Sequence, residues 1–473
     1  MRRIIALSLA AAMLLCTGCN PARDAEISRL LAEAEGIDVD AESYTWVAVE
    51  EDFIPPTYVP EEDKWGDMSE VITGEFGQET DKLIPSVFLS VEAPENIHRE
   101  KYSACTIQLD CSMTEGYEST QVLSGKIRGR GHSTWSWPKK PYKIKLEEAA
   151  SLLGLDAAKE WVLIANYSDE SLLRNTAAFE MARSLDSFSF VPHAIPVNVY
   201  MNGVYQGVYT LGEQLEVKES RLNIGEDLED PDTGYLLEIG GADPETDAEG
   251  INYFDLPSGC GIDVLIKSPN TEKWTEEHFD YIYDYVCKAD KAITELGDYE
   301  KYIDVDSFID WFIVHEMTYN ADSCFRRSCY LTKTAGGKLQ MGPVWDFDLA
   351  FGNMYLDNPN YDEWATIGST NSDSYIGVTW FNYLMEDKSF RSKARKRWDE
   401  VKDKLLEDTK TLLHDQRELV KSSAADNFKV WNTLEIANGY QPSGMSSYTT
   451  YGQQVQYVIR FLDKRYAWID ENL

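Results

Sequence analysis

Hydrophobic and polar positions change rhythm along this chain. Residues 20–82 carry no sustained apolar pattern, apart from a short helical stretch at Ser28 to Ala34. From Leu83 the period becomes two. Ser86-Val87-Phe88-Leu89-Ser90-Val91 and Thr106-Ile107-Gln108-Leu109 alternate, which predicts half-buried strands. Strands follow at Lys139 to Leu146, with Lys143 and Lys145 on one face, and at Trp161 to Ala165. Ser171 to Leu185 reads as a helix carrying Arg174 and Asn175. Val197 to Tyr200 and Val204 to Leu211 flank Asn202-Gly203, the strongest short hairpin signal, and Glu213 comes directly after. A strand at Gly234 to Ile239 contains Glu238 and leads to an acidic loop, Gly241 to Gly250, with Asp243, Glu245, Asp247 and Glu249. The period then turns helical at Thr275 to Leu296, Val305 to Tyr319, Trp380 to Phe428 and Gln453 to Leu473. The pattern predicts an α+β chain, β-rich over about 83–240 and largely helical over about 270–473.

One stretch, Trp311 to Gly352, breaks the helical rhythm. The apolar helix stops at Asn320-Ala321-Asp322. Ser328 to Thr334 reads as a strand, Ala335-Gly336-Gly337 as a tight turn, and Lys338 to Val344 as the returning strand. Trp345-Asp346-Phe347-Asp348 follows. The ends of a hairpin lie close together, so Asn320 and Asp322 before it and Asp346 and Asp348 after it should face one site. In extended backbone an i, i+2 pair shares a face, with Cβ atoms roughly 7 Å apart. Two such carboxylates with an Asn nearby suit an oxygen-liking cation such as Mg²⁺, which takes one or two protein carboxylates and fills its shell with phosphate and water. The flanking Trp345, Phe347 and Phe351 imply partial burial, and a buried carboxylate needs a partner.

Location is set by the first residues. Arg2-Arg3, an apolar run from Ile4 to Leu15 too short to span a bilayer, and Thr17-Gly18-Cys19 form a secretory leader that resembles a bacterial lipobox. This implies cleavage before Cys19 and a lipid on its sulfur. The expected layout is leader 1–18, lipidated Cys19 with an acidic linker to 82, and one domain over 83–473, held outside the cell membrane by the lipid anchor alone. The formal charge is −37, and loss of Arg2 and Arg3 with the leader makes it −39. Such a surface repels nucleic acid and anionic headgroups. Six cysteines remain beyond the lipidated Cys19, without a zinc-ligand spacing.

Against that acidity one stretch is basic. Gly125-Lys126-Ile127-Arg128-Gly129-Arg130-Gly131-His132 leads to Lys139-Lys140-Pro141-Tyr142-Lys143-Ile144-Lys145. Glycines let backbone N–H groups approach phosphate oxygens, and a following lysine supplies a point charge. Arg391 to Arg397 is basic too, and reads as a solvated helix face paired with nearby acids. The polar loop from Gly352 to about Gly377 has the length of a lid or substrate surface.

Four stretches, IRGRGHSTWSWPKKPYKIKL, WVLIANYSDESLLRN, VNVYMNGVYQGVYTLGEQLE and the hairpin from Asn320-Ala321-Asp322 to WDFDLAFG, together resemble the spore coat protein CotH family of kinase-like phosphotransferases. His132 stands where that family commonly has Asn. The resemblance implies a divergent protein-kinase-like fold, ATP, Mg²⁺ or Mn²⁺, and phosphorylation of Ser or Thr on secreted or surface proteins. It assigns Asp322 as the catalytic aspartate and Asp346 as the metal ligand, with Asn320 and Asp348 as further ligands. Gly129 and Gly131 would cover the phosphates. Lys143, with Lys145 as the alternative, would bind them, and Glu213 would pair with that lysine or touch the metal. Two other readings stay open. Asp346-Phe347-Asp348 is also a D-x-D, the metal motif of sugar transferases, and a non-catalytic adhesin or scaffold could keep the same fold.

Overall fold

The computed structural model describes residues 82–473 apart from 243–246, 248, 259–261, 271–273, 355–360, 369–376, 435–444 and 446–447. The leader, Cys19, the helix expected at Ser28 to Ala34, the spacer, Asp243, Glu245 and Cys260 lie outside the described residues.

Seven strands close a barrel: β1 (Ser86–Val91), β2 (Ser103–Asp110), β3 (Leu123–Gly129), β4 (Tyr142–Ala150), β5 (Ala158–Ile164), β6 (Ala194–Met201) and β7 (Val204–Glu213), in the order β1-β2-β3-β4-β5-β7-β6. Every neighbouring pair is antiparallel except β1 and β6, whose parallel register runs from Ser86↔Asn198 to Leu89↔Met201. Alternate positions such as Leu89, Ile107, Ile127, Ile144, Trp161, Leu163, Val199 and Leu211 fill the interior as one apolar cluster. The Asn202-Gly203 turn has both residues at positive φ, 51° and 80°, as a two-residue hairpin requires.

The outer face of β5 and β7 belongs to a second, larger core. Val162 and Val208 pack there with α1 (Arg174–Arg183), α2 (Glu276–Thr294) and α3 (Val305–Thr318). Five antiparallel strands complete it: β8 (Tyr235–Ile239), β9 (Tyr253–Asp255), β10 (Asp263–Ser268), β11 (Cys329–Lys333) and β12 (Gln340–Met341), ordered β12-β11-β8-β10-β9. The predicted hairpin is thus an edge of this sheet, with a returning strand shorter than its pattern suggested. The chain is α+β, with its β-rich part first and its helices mostly last.

The helix expected at Trp380 to Phe428 is two. After α4 (Trp380–Leu384), Asp387 accepts from Ser389 N at 2.9 Å and starts α5 (Lys388–Val430). The last helix is α6 (Tyr451–Asn472). α5 is fastened to the barrel by Asn427, whose Oδ1 accepts from Lys139 Nζ at 2.8 Å and from Val208 N at 3.0 Å. Gly207 (φ 100°) allows this approach, because a Cβ there would sit 2.5 Å from Asn427 Oδ1. The basic run on α5 is paired with acids as expected: Lys393 with Glu300, Arg395 with Asp399 and Asp470, Arg397 with Asp186 and Asp310. The described part of the long polar loop is tied down. Glu316 on α3 accepts from the N–H groups of Ala365 and Thr366, and Arg465 on α6 donates to Glu316, Tyr361 and Glu363.

Among the described residues no helix is long and apolar enough to cross a membrane. The described cysteines, Cys105, Cys111, Cys287, Cys324 and Cys329, are all thiols.

Candidate active site

α3 is stopped by Tyr319, which turns left-handed (φ 48°) and sends Asn320 inward. From there the chain lies beside the segment that leaves the hairpin. Asn320 Nδ2 and Ser323 Oγ both donate to the backbone oxygen of Asp346 at 2.9 Å, and Phe351 N donates to Thr318 O at 2.6 Å. The hairpin therefore brings its two flanks together. The means differs from the extended alternation expected from sequence. Asp346 itself is left-handed (φ 67°), and this turn, not a flat strand, sets its carboxyl against that of Asp348 in a mutual hydrogen bond. Tyr319, Phe325, Ser328, Asp346 and Phe351 are half of the ten described non-glycine residues at positive φ, so backbone strain is concentrated around these acids.

The stretch from Asn166 to Asn175 supports that turn. Ser168 Oγ donates to Asp348 Oδ2 at 2.9 Å. Asn175 Oδ1 accepts from Phe347 N at 2.9 Å, and Arg174 Nε donates to Ala350 O at 3.1 Å. Arg174 is fixed by a fully buried ion pair with Asp169. Asn353 Nδ2 bridges Ser168 O and Asp348 O, each at 2.6 Å. Phe347 is buried between Phe179 and His315. Sequence reasoning noted Arg174 and Asn175 without a role. The available signal was a cluster of polar residues placed between an apolar strand and an apolar helix.

Electrostatically the site is dominated by its acids. Burial, then the charge of Asp322, raises the Asp346 carboxyl above the usual range. Burial, then Asp346, raises Asp348 much further. The two carboxyls hydrogen-bond to each other. Ser328 Oγ donates to Asp346 Oδ2 at 3.1 Å, and Arg130 exerts a weaker pull from nearby. Asn320 Oδ1 is buried and accepts no hydrogen bond. Among the described residues no three His, Cys, Asp or Glu side chains are arranged to enclose an ion. A full protein cage is not what Mg²⁺ requires. Two adjoining carboxyls and an unpartnered amide oxygen fit an ion that keeps its remaining positions for phosphate and water.

The other expected site residues lie elsewhere or act differently. Lys143 pairs at 2.5 Å with Glu160, which also takes Lys145 at 2.7 Å. Glu213 is not the partner of Lys143. It follows Leu211 on the face that points into the barrel, whereas Lys143 lies on the outer face, opposite Tyr142 and Ile144. Glu213 instead binds Arg221 and His193, each at 2.8 Å. Gly129 does not offer its N–H to a phosphate, since that group donates to His98 O at 2.9 Å. Gly129 and Gly131 are needed for close packing: a Cβ would meet the Trp135 ring at 2.3 Å or Thr134 Oγ1 at 2.0 Å.

Burial works to raise the Glu160 carboxyl, but the bonds from Lys143 and Lys145 overcome it and hold it at about 2, from an ordinary 4.5. A depressed carboxylate contributes stability that is present above its unfolded value and lost as pH falls towards its folded one. Wild type should therefore exceed Glu160→Gln in unfolding free energy by about 3 kcal/mol at neutral pH, with about 2 kcal/mol of that lost by pH 3. Urea titrations of both proteins at pH 6 and pH 3 measure this. An unchanged difference between the two pH values would show that the bridge contributes nothing.

A family model described as CotH kinase protein matches residues 127–469, which include every strand and helix from β4 to α5 and the whole acidic site. A comparison with curated proteins finds no match.

Proposed function

The chain belongs to the CotH kinase family, and from that premise we propose that it is an ATP- and divalent-metal-dependent phosphotransferase acting on Ser or Thr of secreted or surface proteins. The observation that carries this reading is the Asp346–Asp348 pair, set carboxyl against carboxyl by the left-handed turn at Asp346, beside Asp322 and the unpartnered Asn320 Oδ1. We read the barrel and the helical part as the two halves of a divergent protein-kinase-like fold, with the acidic turn where they meet. The leader read at Arg2 to Cys19 supports action outside the cell from a lipid tether.

In this mechanism Asp346, Asp348 and Asn320 Oδ1 would hold Mg²⁺ or Mn²⁺, which when bound would offset the negative charge of the phosphates, and phosphoryl transfer depends on that more than on covalent help from protein. Asp322 orients the acceptor hydroxyl and takes its proton. The acceptor oxygen bonds to the γ-phosphorus, the bond to the β–γ bridging oxygen breaks, and the electron pair leaves with ADP. The 166–175 stretch keeps the acidic turn in place during this exchange, since it bonds the backbone of Phe347 and Ala350 and the side chain of Asp348.

The test is incubation of the purified protein with γ-labelled ATP, Mg²⁺ or Mn²⁺ and secreted proteins, with nucleotide sugars in parallel. Label on protein Ser or Thr, abolished by chelation, is the expected result. Transfer from a nucleotide sugar alone would replace this reading with the sugar transferase. Nucleotide-dependent thermal stabilisation without any transfer would favour the scaffold.

A further inference from the structure

The Gly129 N–H is taken by His98 O and Lys143 is paired with Glu160, so if the phosphotransferase reading holds, a cation beside the acidic turn itself is the next candidate to meet the phosphates. The basic stretch supplies one. Arg128 donates to Arg99 O at 2.7 Å. Lys139 is buried on Val208 O and Asn427. Lys140 donates to Trp135 O at 2.8 Å. Lys143 and Lys145 share Glu160. Arg130 differs from all of these. Its guanidinium lies 5.3 Å from the centre of the Trp345 ring, one residue before Asp346. Among the described residues it has no carboxylate within ion-pair distance. It is nevertheless near enough to feel the charges of Asp346 and Asp348.

The turn around it is rigid for identifiable reasons. Gly129 and Gly131 bracket Arg130 and admit the Trp135 ring and Thr134. Arg130 N donates to Pro141 O at 3.2 Å, so the backbone of this residue is fixed and its side chain is what remains for a ligand. Stacking on an indole face holds a guanidinium in place through its π surface and leaves its N–H edge available. That planar edge matches two non-bridging phosphate oxygens, as a lysine ammonium does not.

We propose that Arg130, held over Trp345, is the phosphoryl-binding cation of this site and takes the terminal oxygens of a polyphosphate chain brought up to Asp346. This rests on the phosphotransferase reading for its substrate, but the subsite can be probed without turnover. A simple counter-charge role is the alternative, in which Arg130 offsets the acids and touches no substrate. The carboxyls bond to each other and not to Arg130, which favours the ligand role.

Arg130→Met and Arg130→Lys are compared with wild type for binding of inorganic tripolyphosphate with Mg²⁺ by calorimetry, for KM and kcat with ATP, and for unfolding temperature. Met should weaken tripolyphosphate binding and raise the KM for ATP by 10- to 100-fold, with the KM for acceptor protein unchanged. Lys should recover only part, because it restores charge without the fork. If Met fails to fold, Lys alone carries the comparison. Wild-type affinity and KM in the variants, in a protein that transfers phosphate, would overturn the Arg130 assignment and leave the phosphotransferase standing. A changed Mg²⁺ requirement with unchanged ATP KM would assign it the counter-charge role instead. Arg130-dependent tripolyphosphate binding without any transfer would support the subsite and remove the phosphotransferase. A wild type that neither binds polyphosphate nor transfers phosphate would remove both.

Discussion

Asp346→Asn should reduce phosphate transfer by about 10³-fold or more, the order lost when a charge-stabilising group is removed from a reacting centre. The same substitution should leave the metal-free protein as stable as wild type, or more stable by about 1–3 °C in unfolding temperature. Opposite signs follow from one fact. The Asp346 carboxyl is raised by burial and by Asp322, so its charge is a cost until a cation arrives. Asn removes that cost and with it the attraction for the cation. The turn should survive, since Asn320 and Ser323 donate to the backbone oxygen of residue 346 and not to its side chain. Asn also suits the left-handed φ of 67° at this position, where Ala would add strain of about 1 kcal/mol. Label transfer at saturating Mg²⁺, together with calorimetric unfolding in chelator, checks both halves. Near-normal transfer would exclude Asp346 as a metal ligand. A large fall in unfolding temperature would instead make the acid pair a structural bond.

Much of this arrangement was legible because its signals are local. The Asn202-Gly203 hairpin, the helix before Asn320 and the acids on either side of a turn each follow from a few neighbouring residues. The rest depends on contacts that sequence spacing does not encode. Barrel closure joins Ser86 to Asn198, and nothing within either strand names the other. The choice of Glu213 for Lys143 failed on face: the outward position of Lys143 is met by Glu160 from β5, while Glu213 points into the barrel. Glycines beside Arg130 suggest backbone anion binding, but the same glycines serve equally to admit Trp135 and Thr134, and only packing separates the two uses. The left-handed turn at Asp346 was invisible because Asp adopts both extended and left-handed backbone readily. The break before Asp387 has a local signal too, since Asp387-Lys388-Ser389 starts a helix, but the apolar rhythm running from Trp380 to Phe428 masks it.

Asp322→Asn should lower kcat by about 10²- to 10⁴-fold, the range expected for a positioned general base, while the KM for ATP and the Mg²⁺ requirement stay within a few-fold of wild type. The split matters more than the size of the loss. Asp322 is partly exposed and its charge reaches both Asp346 and Asp348, but the mutual hydrogen bond is made by the latter two. A group in this position lies near the Asp346–Asp348 pair without sharing its hydrogen bond, and under the proposed function that is the place for a residue that orients the acceptor hydroxyl. Removing its charge also removes one of the influences that raise Asp346, so Mg²⁺ binding should not weaken for lack of ionised ligand. Asp346→Asn, by contrast, should raise the Mg²⁺ requirement steeply. Initial rates over a grid of ATP and Mg²⁺ concentrations separate the two variants. If Asp322→Asn shifted the Mg²⁺ requirement and left the rate at saturation intact, Asp322 would be a third ligand of the ion, and the base that takes the hydroxyl proton would have to be another group.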